Sequence, residues 1–294
     1  MIPKIFVNRS HMAHVLVVPL PGQGHINPML QFAKKLVSKG VAATLVTTRF
    51  IARTTRIDAG EVQVEAISDG HDEGVFSSAA SPEEYMRKLE VTGSASLAEL
   101  IKARALSGRP FTCVVYDSFM PWAARVAHAT DLPAVPFSTQ SCTVSAVYHY
   151  VNVGRLPVPA AEGEKSTALA GLPAMERWEF PTFLFSDGPH PSLTVPALTQ
   201  FADRDEDDWV LFNSFEELEG EVNQELENFI FFQVTTCNSK LKKKVSAYGR
   251  VSFLSGVGSY LAFLKFLDET ENNILFYVIK QIVCKFSTFL QENL

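Results

Sequence analysis

Between residues 14 and about 140 the chain alternates short, unbroken apolar runs with longer amphipathic ones, and that rhythm admits few folds. The apolar runs are His14 to Pro19, Ala42 to Thr47, Val62 to Ala66, Thr112 to Tyr116 and Ala134 to Phe137. Helical patterns begin near Asn27, Pro82, Pro121 and Gln140. Strands without polar alternation are buried on both faces, and helices between them supply the crossovers of a parallel sheet. The expected class is therefore α/β, with a parallel sheet covered by helices on both sides. Asn27 can cap the first helix, Pro28 suits its first turn, and Gly40 after Lys39 ends it.

Residues 156–207 break the rhythm with seven prolines and scattered aromatics, which reads as a long loop with helical patches. Trp209 to Asn213 returns as a strand, and Ser214 with Glu217 forms a capping-box pattern that opens a helix. The tail from 223 to 294 differs again. It has no proline, a Lys242-Lys243-Lys244 run, and eight Lys and Arg against six Asp and Glu. Three segments are expected: an extension over 1–13, a domain over 14–222, and a divergent tail over 223–294.

Bulk properties exclude several function classes. A net charge of −6 argues against nucleic acid, which needs a basic face. Cys113, Cys142, Cys237 and Cys284 form no CxxC pair, so they read as reduced thiols of a cytoplasmic protein. The first thirteen residues lack the apolar core of a signal peptide, and Asn8-Arg9-Ser10 is read as a chance sequon. The longest uncharged apolar run in the tail, Val251 to Leu264, is too short for a membrane span.

Chemistry concentrates at two strand ends. In "PLPGQGHINPML" (19–30), Gly24 allows a ligand close to a helix N-terminus, where free N–H groups favour anions. Asn27 stands where a dinucleotide fingerprint needs its third glycine, and no acid follows the second strand, so an oxidoreductase is rejected. His25 is either a base working near pH 7 or a capping residue in a turn. Asp117, directly after the strand Thr112 to Tyr116, either caps the next helix or orients an imidazole. The Asp203-x-Asp205 pair lies in an acidic run and reads as a solvated loop rather than a metal site. No GxSxG elbow offers a hydrolytic serine, and Gly256-Val257-Gly258 lacks a phosphate-loop context.

Six ordered segments carry a resemblance. "HVLVVPLPGQGHINPMLQFAKKLVSKG", "ISDGHDEG", "VVYDSFMPWAARVA", "VPFSTQSC", "GLPAM" and "VLFNSFEELEGEV" resemble the N-terminal half of plant family 1 UDP-dependent glycosyltransferases, over roughly 14–222. The resemblance implies a GT-B enzyme with two Rossmann-like halves facing a cleft, of which 14–222 is the acceptor-binding one. It implies that His25 deprotonates the acceptor and that Asp117 orients and balances it. Direct displacement at the anomeric carbon of a UDP-sugar, glucose by preference, then inverts configuration. No metal or other cofactor is implied, because helix dipoles and polar side chains hold the diphosphate. Thr139 and Gln140 match positions near the cleft, while His71 and the loop around Leu172 to Phe183 match the acceptor-pocket wall. The sequence departs from the family in its tail, which contains no HCGWNS stretch and no tryptophan. A small-molecule acceptor is thus the expected partner, and a UDP-sugar only where a donor domain is supplied. The rival expectation is a non-catalytic remnant that binds small molecules without transferring sugar.

Overall fold

The computed structural model describes residues 13–74, 79–159, 163–169, 172–185, 188, 193–200, 209–214, 219 and 233–236. Seven strands form one parallel sheet: β1 (His14–Val18), β2 (Ala42–Thr48), β3 (Gln63–Ile67), β4 (Cys113–Asp117), β5 (Ala134–Ser138), β6 (Trp209–Phe212) and β7 (Gln233–Thr236). Their order is β3-β2-β1-β4-β5-β6-β7. The chain winds outward from β1 to β3, then returns to lay β4 on the other side of β1. That reversal opens a crevice at the C-terminal ends of β1 and β4, the place where open α/β sheets bind ligands.

Period-two alternation explains why both faces are buried. Val15 and Val17 of β1 join Val115, Phe137 and Leu45 in one core, closed by Met29, Phe32, Ala33 and Leu36 of α1 (Gln23–Ser38). Leu16 and Val18 point the other way, into a core with Val46, Val114 and Tyr116. There α3 (Pro82–Leu106) and α4 (Pro121–His128) supply Leu89, Leu97, Trp122 and Ala123. Full burial of such an aliphatic side chain contributes about 1.5–3 kcal/mol. α2 (Arg49–Thr54) follows β2, and α5 (Cys142–Asn152) follows β5. A third core packs α5 and the loop residues Leu172, Met175 and Phe180 against Val210 and Phe212 of β6.

The helix starts differ from the sequence expectation in two places. α1 begins at Gln23, not near Asn27, because Gly22 takes the N-cap position and its carbonyl accepts the N–H of His25 and Ile26. Pro28 is therefore inside the helix rather than at its first position, and Asn27 is not the cap. α5 begins at Cys142, two residues after Gln140, because Ser141 caps it by accepting the Val144 N–H. In the proline-rich stretch, single 3-10 turns occupy Arg177–Glu179 and Thr182–Leu184, and α6 spans Thr194–Thr199.

β7 lies beyond residue 222, yet it pairs with β6 in parallel register from Trp209↔Gln233 to Phe212↔Thr236. The rest of the tail and residues 1–12 lie outside the described residues, as do Glu217, Asp203 and Asp205. At the opposite side of the sheet β3 is outermost, with Val64 38% exposed. Arg104 of α3 donates to Gln63 Oε1 at 2.9 Å and to Glu65 Oε1 at 2.6 Å there. No helix among the described residues is long and apolar enough to cross a membrane.

Candidate active site

The glycine pair sets the entry to α1. Gly22 donates its N–H to the Leu20 carbonyl, which turns the chain sharply off β1. The N-terminus of α1 carries no side-chain cap and no acid in its first turn, so its positive end is not neutralised from within the helix. Gly24 occupies that first turn, and a methyl group in its place would meet nothing within 4 Å. His25 follows it and is directed across the crevice.

Asp117 closes β4 and is completely buried. Its Oδ2 lies 2.6 Å from His25 Nδ1, and its Oδ1 accepts the Phe119 N–H at 3.0 Å. The Thr139 hydroxyl, one residue past β5, stands 3.1 Å from the same His25 nitrogen. A carboxylate can only accept, so Nδ1 carries the proton and the second ring nitrogen, Nε2, keeps its lone pair. The His25 side chain retains 24% exposure while Asp117 has none, so the ring is open on one side only. Burial lowers the His25 pKa, but the charge of Asp117 and its hydrogen bond outweigh that effect and leave it raised. Phe119 meets the imidazole edge-on at 5.9 Å, and Phe183 meets Phe119 at 6.3 Å. A line of rings thus runs from His25 to the loop around Leu172 to Phe183. Beyond it Arg177, Trp178, Thr182 and Phe185 line a cavity of about 540 Å³.

The structure brings His25, Asp117 and Thr139 together. Gln140 follows Thr139 in the chain, and its Oε1 is buried with no hydrogen-bond partner among the described residues. His71 follows β3, with β2 and β1 between that strand and β4, and there its ring tilts against Tyr85 at 5.4 Å and its backbone N–H donates to Asp69 Oδ1.

Sequence reasoning missed two supports. Asn213, just past β6, donates its N–H to the Ser138 carbonyl at 3.0 Å and its Nδ2 to the Thr139 carbonyl at 3.3 Å. Ser214 donates its hydroxyl to Glu219, a partner that the capping-box reading with Glu217 did not include. The only signal in the sequence was the polar cluster that ends the "VLFNSFEELEGEV" segment.

Comparison with known proteins adds the following. A family described as "Glycosyltransferase, N-terminal domain" matches residues 11–184. The chain is 60% identical over 220 residues to an indole-3-acetate beta-glucosyltransferase of Zea mays, covering 71% of this chain and 47% of that protein. It is 42% identical over 209 residues to flavonol 7-O-beta-glucosyltransferase UGT74F1 of Arabidopsis thaliana, covering 70% and 44%. Among solved structures, Os79 from O. sativa in complex with UDP superposes with a TM-score of 0.67 at 36% identity, over 75% of this chain and 50% of that one. The chain thus spans about half the length of the relatives it matches.

Proposed function

Because the chain belongs to the plant UDP-dependent glycosyltransferases and corresponds to their N-terminal half, we propose that it supplies the acceptor site and general base of inverting glucosyl transfer. The observation that carries this reading is the 2.6 Å contact between His25 Nδ1 and Asp117 Oδ2 at the crevice of the sheet. In this reading an acceptor hydroxyl gives its proton to His25 Nε2 as its oxygen attacks the anomeric carbon. The bond from that carbon to the diphosphate breaks, and UDP leaves. Asp117 fixes the ring and balances the imidazolium as it forms. The uncapped N-terminus of α1 favours negative charge nearby. The reaction is proposed to need no metal or other cofactor, and to take place in the cytoplasm.

Acceptors follow from the relatives. The maize enzyme's name gives a carboxylate and the Arabidopsis enzyme's name a flavonol hydroxyl, so a small aromatic acid or phenol is proposed here. A carboxylate is already ionised at pH 7 and needs the base less. The second reading is binding of a small molecule without transfer. In both, acceptor binding belongs to this half, and UDP-sugar requires a donor half.

Titration of the chain with indole-3-acetate and with a flavonol, followed through the His25 NMR signals, tests the acceptor site. A shift is expected, and silence with both compounds overturns the reading. UDP-glucose is expected to yield product only when a donor half is added. Product from the chain alone overturns that requirement. With the donor half present, His25→Ala is expected to slow transfer to a hydroxyl acceptor by about 10²–10⁴-fold. Under those conditions, binding without product identifies the non-catalytic reading.

A further inference from the structure

α5 starts at the same edge of the sheet as the dyad, and its N-terminus is already held by an anion of the chain itself. Glu219 is 6% exposed. Its Oε2 accepts the Cys142 N–H at 2.9 Å and the Ser214 hydroxyl. Its Oε1 accepts the Thr143 N–H at 2.9 Å and the Thr143 hydroxyl at 2.5 Å. The first amides of a helix have no partner within it, and the helix dipole places positive charge there. A carboxylate answers both needs, through hydrogen bonds stronger than neutral ones. An amide could not, because its NH₂ would face donors.

This contact spans 76 residues of sequence and joins the segment after β6 to the first turn of α5. Between β5 and α5 lies the short turn that carries Thr139. Asn213 holds that turn from one side, through the carbonyls of Ser138 and Thr139. Glu219 holds it from the other, at the amides of Cys142 and Thr143. The Thr139 hydroxyl, fixed between these anchors, is the group 3.1 Å from His25 Nδ1.

We propose that Glu219 is a positioning residue for the dyad: by clamping the first turn of α5 to the end of β6, it presents Thr139 to His25. The inference rests on reading His25 as the base. Asp117, on β4, is the charged group that bears on His25 through both field and hydrogen bond. Glu219 acts only through Thr139, so its effect on His25 is expected to vanish once Thr139 is gone.

The test is the titration midpoint of the His25 ring protons, followed by NMR in the full chain. Thr139→Val removes one acceptor for Nδ1–H and is expected to lower the midpoint. Glu219→Gln is expected to lower it in the same direction, and the double variant no further than Thr139→Val alone. A Glu219→Gln protein that melts at lower temperature but titrates as the parent does overturns the proposal. So do additive shifts in the double variant, or a Thr139→Val protein with no shift. If Glu219→Gln does not fold, Ser214→Ala removes one of four donors and is expected to give a smaller shift of the same sign; no shift overturns the proposal. Asp117→Asn separates the two readings. Its failure to lower the midpoint overturns the dyad itself, whereas a normal response beside a silent Glu219→Gln overturns the positioning alone.

Discussion

His25 is committed to one tautomer by Asp117, and its protonated form is favoured in the folded state. The sign of the resulting stability follows. A base whose pKa rises on folding contributes fully below its unfolded value, 6.5 for histidine, and loses that contribution as pH climbs through the raised folded value. The melting difference between the parent and His25→Ala is therefore expected to be largest below pH 6.5 and to shrink as the solution becomes alkaline. Equal differences from acid to alkaline pH would show that Asp117 does not favour the imidazolium. Asp117 was legible in the sequence because it closes an apolar run, and His25 because it stands in the glycine turn that follows one. Asn213 and Glu219 were not, since they reach the turn from the far side of β5 and no local spacing joins Glu219 to Cys142.

At the level of elements, proline and glycine decided what could be read. Pro82 and Pro121 stand at the starts of α3 and α4 and marked them correctly, because a proline there gives up an N–H that has no helical partner. Pro28 misled for the same reason: it lies within α1, where the Gly24 carbonyl loses its usual i+4 donor. Gly93 has a different role. It lies in α3 where that helix meets α4, and a Cβ there would come within 3.0 Å of Trp122 Cη2. Trp122 is buried, with its indole nitrogen unpartnered among the described residues. Gly93→Ala is expected to destabilise the protein by about 1–3 kcal/mol through overpacking. Urea denaturation measures this, and an unchanged midpoint would mean that the Trp122 ring shifts at little cost.

On the scale of the molecule, the doubly covered parallel sheet was legible from the apolar runs, but its extent was not. The sequence boundary at 222 leaves out β7, whose four residues pair with β6. A run of four without a clear period carries too weak a signal to be read as a strand. A chain cut back to residue 222 is accordingly expected to melt at lower temperature than one ending just past 236. Equal melting temperatures would show that β7 adds nothing to the sheet.

The other side of the sheet has a consequence for how molecules meet one another. β3 ends the sheet with one row of backbone donors and acceptors unpaired among the described strands. Such a row can recruit a strand from a neighbouring molecule. The ionic latch of Arg104 over Glu65 keeps charge on that margin, and a second copy would have to desolvate it before docking. Glu65→Val removes the latch, leaves Arg104 bonded to Gln63, and puts an apolar side chain in place of a charged one on the open strand. Its average mass in sedimentation is expected to climb with concentration where that of the parent does not, and two identical profiles would show that the latch does not keep the molecules apart.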